Sequence, residues 1–173
     1  MVLGSVGTGK SSVLQCICGA QETVFESSRS ILGCTQALVR KDFEQFELID
    51  TMGLNSMQMP TAYWGNIFNQ SSIISEGIDL TLLVFKCKIS PDTTDFNTLA
   101  AFVQVIASAD PANTALVFTF ADQDSDMDVD YAMRWYETLI NKAEAIPQVT
   151  KDRIFLYSGK TNPNATASTT QEL

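Results

Sequence analysis

The feature that most narrows the possible folds lies near the start of the chain. Gly4, Ser5, Val6, Gly7, Thr8, Gly9, Lys10 and Ser11 fit the pattern GxxxxGK[ST] at every specified position. Glycines let a backbone wrap a phosphate without Cβ clashes, so successive N–H groups face inward as a nest. A helix beginning at Lys10 adds the positive end of its dipole. Such a loop needs a strand before it and a helix after it. The apolar stretch Met1–Leu3 and the segment from Lys10 to Cys18, stopped by Gly19, supply both. Lys10 then reaches the β- and γ-phosphates, and the Ser11 hydroxyl is a Mg2+ ligand. The pattern alone does not choose between ATP and GTP.

The rest of the chain alternates short apolar runs with longer amphipathic stretches, which predicts an α/β fold. Two strands near Gln36–Arg40 and Phe46–Ile49, joined through Lys41–Gln45, are close enough for an antiparallel hairpin. A helix is expected across Thr61–Ser75. Leu80–Cys87 is a continuous apolar run, as in a strand buried on both faces. A helix at about Thr94–Ala107, a strand at Thr114–Phe120, a helix at about Val129–Ala145 and a strand at Arg153–Tyr157 complete the set. The expected architecture has three layers. About six strands, mostly parallel with one antiparallel, carry helices on both faces. Ligands of such sheets bind beyond the carboxyl ends of the strands.

Composition bounds the partners. The 173 residues carry 11 Lys plus Arg against 20 Asp plus Glu, a formal net charge of −9. An acidic chain repels nucleic-acid phosphates and anionic lipid heads, so any phosphate must be held locally. Nucleic acid is not an expected partner. Without histidine, and without a CxxC pair, the cysteines Cys16, Cys18, Cys34 and Cys87 read as reduced thiols acting as small apolar groups. No apolar run approaches the roughly 20 residues that span a bilayer. These features predict a cytoplasmic protein, with membrane association only through a partner or a missing segment.

Further motifs follow in order. Asp50, Thr51, Met52 and Gly53 close a hydrophobic strand with DxxG. Asp50 is placed to hold Mg2+ and the Gly53 N–H to approach the γ-phosphate, a way to sense hydrolysis. Between the two motifs, Thr35 could complete the metal shell with its hydroxyl, although Ser27, Ser28 and Ser30 compete for that role. Thr119 to Asp122 form TxxD at another strand end. A carboxylate can accept from guanine N1–H and the exocyclic amine together, whereas adenine has no proton at N1, so Asp122 favours guanine. Phe120 stands where the commoner [NT]KxD form has lysine; it either stacks on the base or packs in the core. The acidic run from Asp122 to Asp130 lacks the glycine and final glutamate of a calcium loop, with Met127 and Met133 there instead. Its last aspartates suit the start of the next helix. Ser158, Gly159 and Lys160 resemble the SAK signature that contacts the guanine carbonyl.

The ordered set GSVGTGKSS, GCT, DTMGL, FTFAD and SGK resembles the immunity-associated GTPases of the AIG type, kin to the chloroplast Toc GTPases and to septins. The resemblance implies a G domain over 1–161, minimal or truncated at both ends, with a flexible tail over 162–173. It implies that GTP or GDP with Mg2+ is bound by Gly4 through Ser12, including Ser12 itself, and by Thr119, Asp122, Ser158, Gly159 and Lys160. Lys10, Thr35 and Gly53 take the catalytic roles, and Ser11, Thr35 and Asp50 the metal. It also implies nucleotide-dependent dimerisation with a second copy or a related G domain, with Arg29 a candidate to reach a partner's nucleotide. Leu54 follows Gly53, and an apolar side chain cannot orient the attacking water, so hydrolysis to GDP and phosphate should be slow. The reading is a slow Mg2+-dependent GTPase serving as a switch or dimerisation scaffold. A non-hydrolysing GTP-binding interaction module and an ATP-using P-loop phosphotransferase or ATPase are the alternatives.

Overall fold

The structure, a computed structural model, describes residues 1–19, 25, 38–53, 77–97, 113–123, 126–141 and 149–158. Six strands form one sheet: β1 (Val2–Gly4), β2 (Val39–Phe43), β3 (Phe46–Asp50), β4 (Thr81–Lys86), β5 (Thr114–Thr119) and β6 (Ile154–Tyr157). Their spatial order is β2-β3-β1-β4-β5-β6. Among the described residues only the β2–β3 pair is antiparallel; β1 pairs in parallel with β3 and β4, and the remaining pairs are parallel. Helices α1 (Lys10–Ile17) and α2 (Val129–Ile140) accompany the sheet, and residues 93–97 are helical.

Burial follows position in the sheet. All six residues of β5 are buried, as its run TALVFT requires of a strand covered on both faces. Successive side chains point to opposite faces. Along β4 and β5, Leu83, Phe85, Leu116 and Phe118 therefore join one core, while Val84 and Val117 join another with Val13 and Leu14 of α1. In the first core, Trp135 of α2 packs edge-on against Phe118, ring centroids 5.2 Å apart, and 5.1 Å from Phe85. Helix α2 buries Ala132, Trp135, Tyr136 and Leu139, spaced as one helical stripe. Its N-cap is Asp128, whose carboxylate accepts the Tyr131 N–H at 2.6 Å. The aspartate run thus ends by capping a helix, with Asp130 in the first turn.

Two expectations need correction. Strand β2 continues past Arg40 to Phe43, so the hairpin closes on the two residues Glu44 and Gln45 rather than on Lys41–Gln45. Glu44 takes φ 53° to make that turn, and an Arg40–Glu47 ion pair at 2.6 Å ties the two strands. The cysteines do not share one environment. Cys87 is buried in the core, but Cys16 lies on the outer face of α1 and is exposed. The helix expected across Thr61–Ser75 lies outside the described residues, as do Cys34 and the tail from 162.

Candidate phosphate and base site

Three chain segments meet at the carboxyl ends of β1, β3 and β5. The first is the loop Gly4–Gly9. Gly7 and Gly9 adopt φ 77° and 85°, the left-handed region in which a Cβ is strained. Gly4 is held by space as well, because a Cβ there would collide with the Val84 carbonyl oxygen and lie 2.8 Å from Thr8 Oγ1. The loop is drawn in around one acceptor. The Ser5 carbonyl receives the Thr8 hydroxyl at 3.0 Å and the Lys10 ammonium at 2.9 Å. Gly9 is the N-cap of α1, so no side chain caps the helix, and no acidic residue stands in its first turn. The first N–H groups of a helix have no intrahelical acceptor. With no side-chain cap here, they form a positive end suited to an anion.

Lys10 is 6% exposed. Burial pulls its pKa down to about 8, and the nearby Asp50 carboxylate partly opposes that shift. A polyphosphate beside the ammonium would favour the charged form and raise that pKa again.

The second segment is the end of β3. Asp50 is 2% exposed and its Oδ2 accepts the Ser11 hydroxyl at 2.6 Å. Thr51 donates its hydroxyl to the Val2 carbonyl at 2.8 Å, locking this strand end against β1. Gly53 then lies against the phosphate loop. A Cβ on Gly53 would be 2.6 Å from the Val6 nitrogen and 2.7 Å from its Cα. Only glycine lets the two backbones come so close. A hydroxyl and a carboxylate from two elements, meeting beside an anion-binding loop, are hard oxygen donors of the kind Mg2+ takes together with phosphate oxygens. Ser11 and Asp50 therefore fit that ion.

The third segment follows β5. Thr119 is 1% exposed and its hydroxyl donates to the Thr8 carbonyl at 2.6 Å. A Cβ on Gly9 would sit 3.3 Å from Thr119 Cγ2, so the loop rests on this residue. The Thr119 hydroxyl is thus committed to holding the phosphate loop. Phe120 has φ 59° and is half-buried, outside both cores formed by the described residues; the Lys86 ammonium lies 5.1 Å from its ring centroid. The 3-10 turn Ala121–Gln123 follows, with Asp122 exposed on it. The Gln123 N–H closes the turn on the Phe120 carbonyl at 3.0 Å.

Of the expected site residues, the structure gathers Gly4 through Ser12, Asp50, Gly53 and Thr119 around one loop. Asp122 stands on the adjoining turn, and Ser158 is exposed just past β6. Thr35, Arg29, Leu54, Gly159 and Lys160 lie outside the described residues. Three participants escaped the sequence reading. Thr51 fixes the β3 end, and Tyr157 donates its hydroxyl to the Ser12 carbonyl at 3.3 Å, joining β6 to α1. Lys86, beside the Phe120 ring, was signalled only by being the one charged residue of β4.

The strand order, the lone antiparallel pair and the phosphate loop between β1 and α1 define a P-loop GTPase fold. The chain matches the AIG1 family across residues 1–173 and belongs to that family. No curated protein matches its sequence. Among solved structures it is similar to a dimerization-deficient mutant of Toc33 from Arabidopsis thaliana, with a TM-score of 0.68, 23% identity, and 93% of this chain and 70% of that chain covered. It is also similar to Arabidopsis Toc33 in complex with GDP and Mg2+, with a TM-score of 0.60, 22% identity, and coverage of 93% and 70%. A third match concerns the chloroplast translocon components atToc33 and psToc159, for whose GTPase activity dimerization is described as important. There the TM-score is 0.69 at 21% identity, covering 93% of this chain and 69% of that one.

Proposed function

We propose that this chain binds GTP and GDP with Mg2+ and hydrolyses GTP slowly to GDP and phosphate, serving as a switch or dimerisation scaffold. One observation carries the reading: the phosphate loop is tied by direct hydrogen bonds to the ends of both neighbouring motifs. Ser11 meets Asp50, and Thr8 meets Thr119. In this reading, those bonds hold the phosphate, metal and base positions as one unit. Family membership and the Toc33 complex with GDP and Mg2+ support the choice of nucleotide.

In this reading Lys10 and the first N–H groups of α1 neutralise the phosphate tail, and Asp122 accepts from the guanine edge. Mg2+, held by Ser11 and Asp50, would draw charge from the phosphate oxygens. The Gly53 N–H, beside Val6, senses the third phosphate, and the segments flanking it present a surface to a second copy. Slow turnover is consistent with Val6 setting apolar atoms against Gly53, where a polar group could otherwise position water. That contact also favours the second reading, a binding module without turnover.

Single-turnover hydrolysis with purified protein and Mg2+, over a range of protein concentrations, separates the two. Phosphate release that quickens with concentration is expected if a second copy assists. No release at any concentration would remove the enzymatic reading and leave the binding one.

A further inference from the structure

The base side of the site contains a pairing that the sequence motifs do not specify. Phe120 adopts a left-handed backbone conformation that bulky residues rarely take. Such outliers persist where surrounding structure holds them, and they point from geometry to a role. The hold is visible here. Thr119 on its N-terminal side is pinned to Thr8 and Phe85, and the Phe120 carbonyl accepts from Gln123. Among the described residues the ring belongs to neither core, and it is half-buried. Lys86, whose strand position pairs with Thr119, places its ammonium over the ring. This lysine is exposed and could extend into water instead.

We propose that Phe120 and Lys86 form a stacking platform for the purine base of a nucleotide whose phosphates occupy the Gly4–Gly9 loop. The inference rests on the nucleotide reading above and adds residues that read the base face. Phe120 and Asp122 share one short turn, so one offers a flat face while the other accepts from the ring edge. A planar base needs both. The cation draws the ring's π electrons toward itself, which favours stacking against an electron-rich purine, and guanine is the most electron-rich of the bases. The platform would thereby supply, from a neighbouring strand, a positive charge on the base side of a turn that has no lysine of its own.

Titration of the parent, Phe120→Leu, Phe120→Tyr and Lys86→Met with GDP and, separately, with pyrophosphate tests the platform. Pyrophosphate occupies the phosphate loop but has no base. Phe120→Leu should weaken GDP about ten-fold or more while pyrophosphate affinity holds. Phe120→Tyr should restore GDP binding, and Lys86→Met should weaken GDP about two- to five-fold. Unchanged GDP affinity in Phe120→Leu would overturn the platform, as would an equal loss for GDP and pyrophosphate, which marks a structural role. If the parent takes pyrophosphate but no GDP, the guanine reading fails first and the platform with it.

Discussion

The phosphate side and the base side of the site are built by different means. On the phosphate side, Lys10, Asp50 and Thr119 are all at least 94% buried, and short hydrogen bonds join segments 39 and 111 residues apart in sequence. Much of its binding surface is backbone, shaped by glycines at positive φ. On the base side, Asp122 and Lys86 are exposed and Phe120 half-buried, and the proposed recognition falls to side chains. Backbone sites tolerate little change, because Gly4 and Gly53 are fixed by close neighbours and Gly7 and Gly9 by their positive φ. Side-chain sites can be rebuilt from other residues, the role proposed for the Lys86–Phe120 pair. The contrast implies that substitutions on the two sides should fail differently.

The largest effect is expected from Lys10→Met. Removing the buried cation should weaken GDP and pyrophosphate together, on the order of a hundred-fold, as measured by calorimetry. Asp122→Asn should cost about thirty-fold for GDP but leave pyrophosphate unchanged, because only the guanine edge loses its acceptor. An equal loss of both ligands would erase the distinction between the two sides.

The next effect is one of pH. Lys10 has a pKa of about 8 in the free protein and must be charged to hold phosphate. Binding then takes up a proton above that pH, so GDP affinity should fall about ten-fold between pH 7 and pH 9. Titrations in two buffers of different ionisation heat check the proton count. The sign for stability is opposite. The folded pKa lies below the unfolded one, so this lysine's burial penalty eases as pH rises from about 8 toward 10.5.

The smallest effect is Thr119→Val. It leaves the Thr8 carbonyl without that donor and should cost about 1 kcal/mol in urea unfolding. It should also weaken pyrophosphate more than it alters the preference for guanine over adenine. A shift in that preference alone would move Thr119 from tether to base contact.

The two sides were also unequally legible in the sequence. The phosphate loop could be read because glycine and lysine at fixed spacing have few other uses, and the Asp50–Gly53 motif because it ends an apolar strand. The buried strands β4 and β5 showed as continuous apolar runs. The hairpin turn did not show. Glu44 and Gln45 carry no glycine or asparagine to announce a two-residue turn, and only the pairing of β2 with β3 reveals it. Phe120 left two readings open because its neighbour Lys86 comes from another strand, a contact no local pattern encodes. Thr51 and Tyr157 were hidden for the same reason, since their acceptors are 49 and 145 residues away. Cys16 shows the limit of composition. A residue type that is usually buried lies on the open face of α1 because the helix stripe is set by Val13 and Leu14.

The central claim is that a backbone-built phosphate site and a side-chain-built base site together select guanine nucleotide. Its most direct test is calorimetric titration of the nucleotide-free protein with GDP and with ADP, each with Mg2+ at pH 7. The account predicts that GDP binds at least ten-fold more tightly than ADP, with the gap narrowed by Asp122→Asn. Equal or tighter binding of ADP would contradict it.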